Sequence, residues 1–230
     1  MISKKNIMEK KELSILVVGA GAIGGITAAL LKKDGYNVEI VCKYSDYARL
    51  IGSEGLEVDG VCGNIKVALK AYSSANDVKE KKDLILHATK ATDMTASAMQ
   101  LLPLLEEGGY VVSMQNGICE DELGEIFGKE KIIGCVTGWG GTMLLQGRLE
   151  MTSTGDFIIG YLNKSPDDFL YRIAGIMSSV VPAKVSENIM GHLYSKLIVN
   201  ACITSLGAIC GLYLGRMLSF RKVRNIFIEI

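Results

Sequence analysis

Residues 14–24 read Ser-Ile-Leu-Val-Val-Gly-Ala-Gly-Ala-Ile-Gly, and this stretch decides the fold. Ile15, Leu16, Val17 and Val18 form an apolar, mostly β-branched run, the pattern of a strand buried on both faces. Gly19-x-Gly21-x-x-Gly24 follows, and then a helical pattern that ends near Asp34 and Gly35. In such a turn the first glycine permits the tight bend, the second lets backbone approach a pyrophosphate, and the third lets helix pack on strand. The helix start then offers unpaired N–H groups to phosphate oxygens. The sequence therefore predicts a dinucleotide-binding turn made of Gly19, Ala20, Gly21, Ala22, Ile23 and Gly24. The alternative is a glycine-rich packing turn.

Outward from that turn, Val38, Ile40 and Cys42 alternate with Asn37, Glu39 and Val41 as a second strand. A site for NAD usually carries a carboxylate at the end of this strand, on the ribose hydroxyls. Here the end reads Val41-Cys42-Lys43-Tyr44, and Glu39 falls too early, inside the strand. A carboxylate would repel a 2′-phosphate and Lys43 would attract one, so NADP is expected rather than NAD. The competing view of Lys43 is a solvated strand-end lysine.

Further strands are expected at Leu84–Ala88, Tyr110–Met114 and Ile132–Val136, with Asp93 capping a helix that runs toward Leu105. Alternation of strand and helix indicates an α/β, Rossmann-type doubly wound parallel sheet covered on both faces. Hairpins are expected where Leu56–Val58 and Ile65–Ala68 flank Gly60 and Gly63, and around Gln146-Gly147. Phe157–Tyr161 adds a strand, and Ser165-Pro166-Asp167-Asp168 reads as a helix start with Ser165 as cap. From about Glu187 the chain reads as helix, which divides it into a dinucleotide-binding domain (1–186) and an incomplete all-helical domain (187–230). Residues 1–12, polar and Lys-rich, are expected to fray.

Composition narrows the function classes. The 25 Lys and Arg balance 25 Asp and Glu, which argues against a nucleic-acid or polybasic membrane-surface protein. Two uncharged runs, Ser14–Leu31 and Leu197–Gly215, resemble membrane or signal segments, but their glycines and polar residues favour a soluble, cytoplasmic chain. The six cysteines show no CxxC spacing and only two histidines accompany them, so no metal site is expected and the thiols read as buried and free.

A second constellation lies late in the chain. His192, Lys196, Asn200 and Thr204 recur every fourth residue, along one stripe of a helix. Leu193, Leu197, Ile198, Val199 and Ile203 surround them. A buried stripe of ammonium and amide groups is costly unless it faces a partner or ligand. Burial lowers a lysine pKa, which fits Lys196 to give up a proton. The alternative is a solvated face, and His192 reads as a surface residue. Lys90 and Asn116 each follow a parallel strand, where carboxyl-end loops meet a ligand, although Asn116-Gly117 is also a common turn.

Gly19–Gly24, Lys90-Ala91, Gln115-Asn116-Gly117 and Lys196-Leu-Ile-Val-Asn200 stand in one order, and over residues 14–215 the chain resembles the ketopantoate reductase (2-dehydropantoate 2-reductase) family. The resemblance implies NADPH-dependent reduction of a 2-oxo acid, ketopantoate in the pantothenate and coenzyme A pathway. It implies Lys196 as general acid, with Asn200, Thr204, Lys90 and Asn116 on the substrate. Lys43, Lys90 and Asn116 would join the glycine turn on the cofactor. No nucleic-acid or membrane partner is implied, and a homodimer is compatible with it. The chain departs from the family in two ways. Thr204 stands where a second Asn is common, so a related 2-oxo acid is a possible substrate. The family's helical domain continues past Ile230 with an acidic residue that orients the lysine, so a truncated chain is expected. A module that binds NADP(H) without turnover is the alternative function.

Overall fold

The computed structural model describes residues 13–229; the segment expected to fray, 1–12, lies outside them. The chain opens with β1 (Ser14–Val18), α1 (Ala22–Lys33), β2 (Asn37–Val41), α2 (Ser45–Glu54), β3 (Leu56–Gly60), β4 (Ile65–Val67) and β5 (Lys70–Tyr72). It continues through β6 (Lys82–His87), α3 (Ala91–Leu101), β7 (Leu105–Ser113), α4 (Glu120–Phe127) and β8 (Ile132–Thr137). Then come β9 (Gly140–Leu145), β10 (Arg148–Ser153), β11 (Phe157–Tyr161), α5 (Asp168–Met177) and β12 (Ala183–Val185). The helices α6 (Ile189–Cys210), α7 (Leu214–Ser219) and α8 (Arg221–Glu229) close it.

Among the described residues the strands form two sheets. The larger has the order β12-β11-β8-β7-β6-β1-β2-β5. It is parallel from β5 to β8, as expected, and β11 then runs antiparallel to β8. The smaller, β4-β3-β10-β9, was not expected as a sheet. Both of its hairpins were expected, but the parallel pairing that joins them, Glu57 opposite Arg148, links distant sequence.

The uncharged run Ser14–Leu31 is explained by where α1 lies. The helix sits between the two sheets, and a Cβ on Gly25 would fall 2.4 Å from Leu149 of β10. Ile26, Ala28, Ala29, Leu30 and Leu31 are all buried. A helix covered on both sides carries apolar residues all round. The run is interior, not a signal or a span.

Several expected boundaries move. Lys90, not Asp93, occupies the cap position of α3, and Asp93 lies in its first turn. The cap of α5 is Asp167 rather than Ser165, its Oδ1 accepting from the Leu170 N–H at 2.9 Å. Asn188 caps α6, accepting from the Gly191 N–H at 3.0 Å. All six cysteines are free; Cys42, Cys119, Cys135 and Cys202 are buried as expected, but Cys210 is exposed and Cys62 partly so. Burial pushes the Cys42 thiol up to about 12.

The first turns of α6 pack on β8 and β11 through buried Ile189 and Leu193. Beyond Cys202, Ile209 of α6 and Tyr213 of the loop before α7 are exposed to solvent. Among the described residues α6 alone is long and apolar enough to cross a membrane, by length and composition.

Candidate active site

The glycine turn is built around backbone contacts that no side chain would tolerate. Gly19 has φ +104°, and a Cβ there would lie 2.6 Å from the Ala88 carbonyl oxygen on the loop after β6. A Cβ on Gly24 would sit 2.0 Å from the Gly19 carbonyl oxygen. Gly21 differs: nothing lies within 4 Å of where its Cβ would be. Gly21 is also the cap residue of α1, and no side chain satisfies the first amides of the helix. The open space and the unpaired N–H groups together fit a pyrophosphate.

A cleft of about 800 Å³ runs along this turn. Lys43, Tyr44, Ser74, Thr89, Lys90, Asp93 and Ser97 line it, together with Met143 and Gln146 from the β9–β10 hairpin. Glu39 plays no part here. Burial raises its pKa, but Lys82 at 2.6 Å and Lys70 at 2.9 Å outweigh that and hold the carboxyl below the usual range. Lys43 reaches into the cleft, where its Nζ lies 3.1 Å from each oxygen of Asp93. That hydrogen bond holds the ammonium above the ordinary lysine pKa.

Behind the cleft a buried polar chain ties the loops after β6 and β7 together. Gln115 Nε2 donates to His87 Nδ1 at 3.0 Å, so the other ring nitrogen carries the proton and donates to Ser97 Oγ at 2.5 Å. The Ser97 hydroxyl in turn donates to the Met94 carbonyl oxygen, and Ser113 Oγ donates to Gln115 Oε1, both at 3.0 Å. Burial pushes the His87 pKa down to about 4, so the ring is neutral near pH 7. No sequence periodicity marked this residue.

The second cavity, about 850 Å³, lies on the other side of the first turn of α1, whose Ile23 forms part of its wall. Lys196, Asn200 and Thr204 of α6 line it, with Asn116, Thr137 and Trp139. The α6 stripe thus faces a cavity, except for His192, which is exposed. Lys196 Nζ donates to the Thr137 carbonyl oxygen at 2.6 Å. Burial lowers its pKa, and among the described residues it makes no salt bridge. Thr204 Oγ1 donates back to the Asn200 carbonyl at 2.6 Å, so its proton is held within the helix.

The helix comes this close to the sheet because two glycines lie beneath it. Gly134 of β8 and Gly160 of β11 are directly opposite each other in the antiparallel register. A Cβ on either would stand within 2.9 Å of the Ile189 side chain.

The two cavities divide the expected residues. Asn116, Lys196, Asn200 and Thr204 come together in one. The glycine turn, Lys43 and Lys90 come together in the other, and Lys90 does not reach the Lys196 cavity. Asp93, Trp139, Met143 and Gln146 were not foreseen as site residues. From sequence Asp93 reads only as a helix cap and Gln146 only as part of a turn. An ammonium of lowered pKa beside amide groups, in a cavity that reaches Ile23 of the first turn of α1, is suited to protonating an oxygen.

Comparison with known proteins agrees with this layout. A model of the family described as ketopantoate reductase PanE/ApbA matches residues 15–164, the span that builds the glycine turn and most of the sheet. The 2-dehydropantoate 2-reductase of Pyrococcus abyssi (strain GE5 / Orsay) is 32% identical over 199 residues, covering 86% of this chain. The chain spans 64% of that relative's length. A crystal structure of 2-dehydropantoate 2-reductase from Geobacter metallireducens GS-15 superposes with TM-score 0.86 at 25% identity, covering 94% of this chain and 71% of that one. A D-mandelate dehydrogenase structure superposes equally well, TM-score 0.86, at 21% identity, covering 94% of this chain and 70% of that one, and shares the fold. With the turn, the order of strands and the late helix all in place, the chain belongs to the ketopantoate reductase PanE/ApbA family.

Proposed function

We propose that this chain reduces a 2-oxo acid with NADPH, ketopantoate to pantoate being the leading candidate. The observation that carries the proposal is the position of Lys196: an ammonium with a lowered pKa, held by one backbone carbonyl, in a cavity that shares the first turn of α1 with the phosphate-binding cleft. The cofactor, when bound, supplies a hydride to the carbonyl carbon. Lys196 supplies the proton to the carbonyl oxygen and offsets the negative charge that develops there. Asn116 and Asn200 offer amide donors and acceptors to the polar groups of the substrate. The unpaired amides after Gly21 would hold the pyrophosphate, with Lys43 and Lys90 adding positive charge along the cleft. Relatives that cover most of the chain carry the name 2-dehydropantoate 2-reductase. The soluble, cytoplasmic setting read from the sequence belongs to the same proposal.

The test is NADPH oxidation against a panel of 2-oxo acids, with NADH in parallel. Consumption that depends on ketopantoate and is lost in Lys196→Ala supports the reading. NADPH binding with no turnover of any 2-oxo acid would replace it with a sensor of NADP(H). Activity that survives Lys196→Ala would assign the chemistry elsewhere.

A further inference from the structure

The dinucleotide cleft contains a charge arrangement that the choice of Lys43 as phosphate ligand does not account for. Lys43 is not a free cation at the end of β2. Its Nζ is 3.1 Å from both Oδ1 and Oδ2 of Asp93, across the mouth of the cleft. The side chains stay 64% and 42% exposed, so the pair faces solvent and any incoming ligand. Among the described residues that line the cleft, Asp93 is the only carboxylate. Glu39 of β2 is committed to Lys82 and Lys70, and Asp46 in the first turn of α2 pairs with Arg49. Asp93 is also held in place: it lies in the first turn of α3, and its N–H donates to the Lys90 carbonyl at 2.9 Å.

We infer that Asp93 sets the choice between phosphorylated and unphosphorylated nicotinamide dinucleotides, by competing with a 2′-phosphate for Lys43. A 2′-phosphate must take Lys43 from Asp93 and then sit beside an uncompensated carboxylate. An unphosphorylated ribose leaves the ion pair intact and can donate its hydroxyl to Asp93. The pair therefore cancels much of the preference that Lys43 alone would confer. The inference rests on the dinucleotide reading above, and it makes the cleft tolerant of both cofactors. Like-charge opposition in a solvated cleft is worth about a factor of ten in affinity, and less at high salt.

The test is binding rather than turnover: NADPH and NADH titrated by calorimetry, or by quenching of the single tryptophan, against the whole chain and its variants. Asp93→Asn keeps the size of the side chain and removes its charge. It should tighten NADPH about tenfold and leave NADH unchanged or slightly weaker. Lys43→Met should weaken NADPH by about tenfold with little effect on NADH. In the Lys43→Met background the competition is gone but the bare carboxylate still faces the 2′-phosphate, so Asp93→Asn should go on tightening NADPH relative to NADH. An acid that only stabilises the start of α3 would change thermal stability and leave the NADPH-to-NADH ratio fixed. Binding of both cofactors with that ratio unaltered in Asp93→Asn overturns the inference alone. Failure of the unaltered chain to bind either cofactor overturns the dinucleotide reading and this inference together.

Discussion

Lys43 and Lys196 are the same side chain placed in opposite surroundings. Lys43 is exposed and bound to a carboxylate, which holds its pKa above the ordinary lysine value. Lys196 is half-buried, has only the Thr137 carbonyl as its hydrogen-bond partner among the described residues, and has its pKa lowered. A permanent charge suits the holding of an anion. A proton that is easily released suits chemistry at an oxygen. The difference is set by the elements that carry each lysine: a strand end open to solvent, and a helix pressed onto a sheet.

The largest expected effect is on the buried side of the comparison. Lys196→Ala should lower kcat for ketopantoate reduction by about 10²- to 10⁴-fold, the usual range for a lost general acid, while NADPH affinity changes little. Steady-state kinetics with a cofactor titration checks both. Because the folded pKa of Lys196 lies below its unfolded value, folding becomes more favourable as pH rises between the two. Lys196→Met should therefore remove a cost, and its melting temperature near pH 7 should not fall. Reduction should also decline as pH rises through the Lys196 pKa, with the alkaline limb below the ordinary lysine range near about 10.4.

Next in size is a change on the exposed side. Gly21→Ala meets no atom within 4 Å, so melting should stay within a few degrees. The methyl would fill the space beside the unpaired amides, and dinucleotide affinity should fall about a hundredfold, readable by calorimetry. Gly24→Ala should behave oppositely, losing stability by about 1–3 kcal/mol through its clash with the Gly19 carbonyl.

The His87 chain supplies a pH test. Its folded pKa of about 4 lies below the unfolded value, so its contribution is full above about pH 6.5 and is lost as pH falls toward 4. Across that window it amounts to about 3 kcal/mol. Urea unfolding at pH 7.5 and 5 should show about 2 kcal/mol of that loss in the unaltered chain, and His87→Gln should remove most of that pH dependence. The smallest effect belongs to Thr204→Val. The hydroxyl proton is already given to Asn200, so kcat/KM should change by less than about threefold. A larger loss would show that the hydroxyl reorients toward the substrate.

What could be read from sequence follows from distance along the chain. The glycine turn was legible because strand, spacing and helix all fall within residues 14–33, where Gly24 packs against the Gly19 carbonyl and Gly21 leaves open space at the helix start. The α6 stripe was legible because helical periodicity is local too. The second sheet was not, since Glu57 finds its partner at Arg148. Nor was the Lys43–Asp93 pair, where the two charges are 50 residues apart and an Asp near a helix start already has a sufficient local explanation. His87 shows the same limit. A histidine at a strand end carries no mark of the glutamine and serine that enclose it once β6, β7 and α3 come together.

The glycine pair on β8 and β11 governs more than packing. Gly134 and Gly160 form a smooth seat for α6, so the thickness of that seat fixes how far the Lys196 ammonium projects over the end of the sheet. One methyl on either residue would act as a shim. It would raise the helix by about an ångström, and misplacement on that scale can cost about a hundredfold in rate. The reach of the proton donor is thus set by two residues that carry no functional group at all.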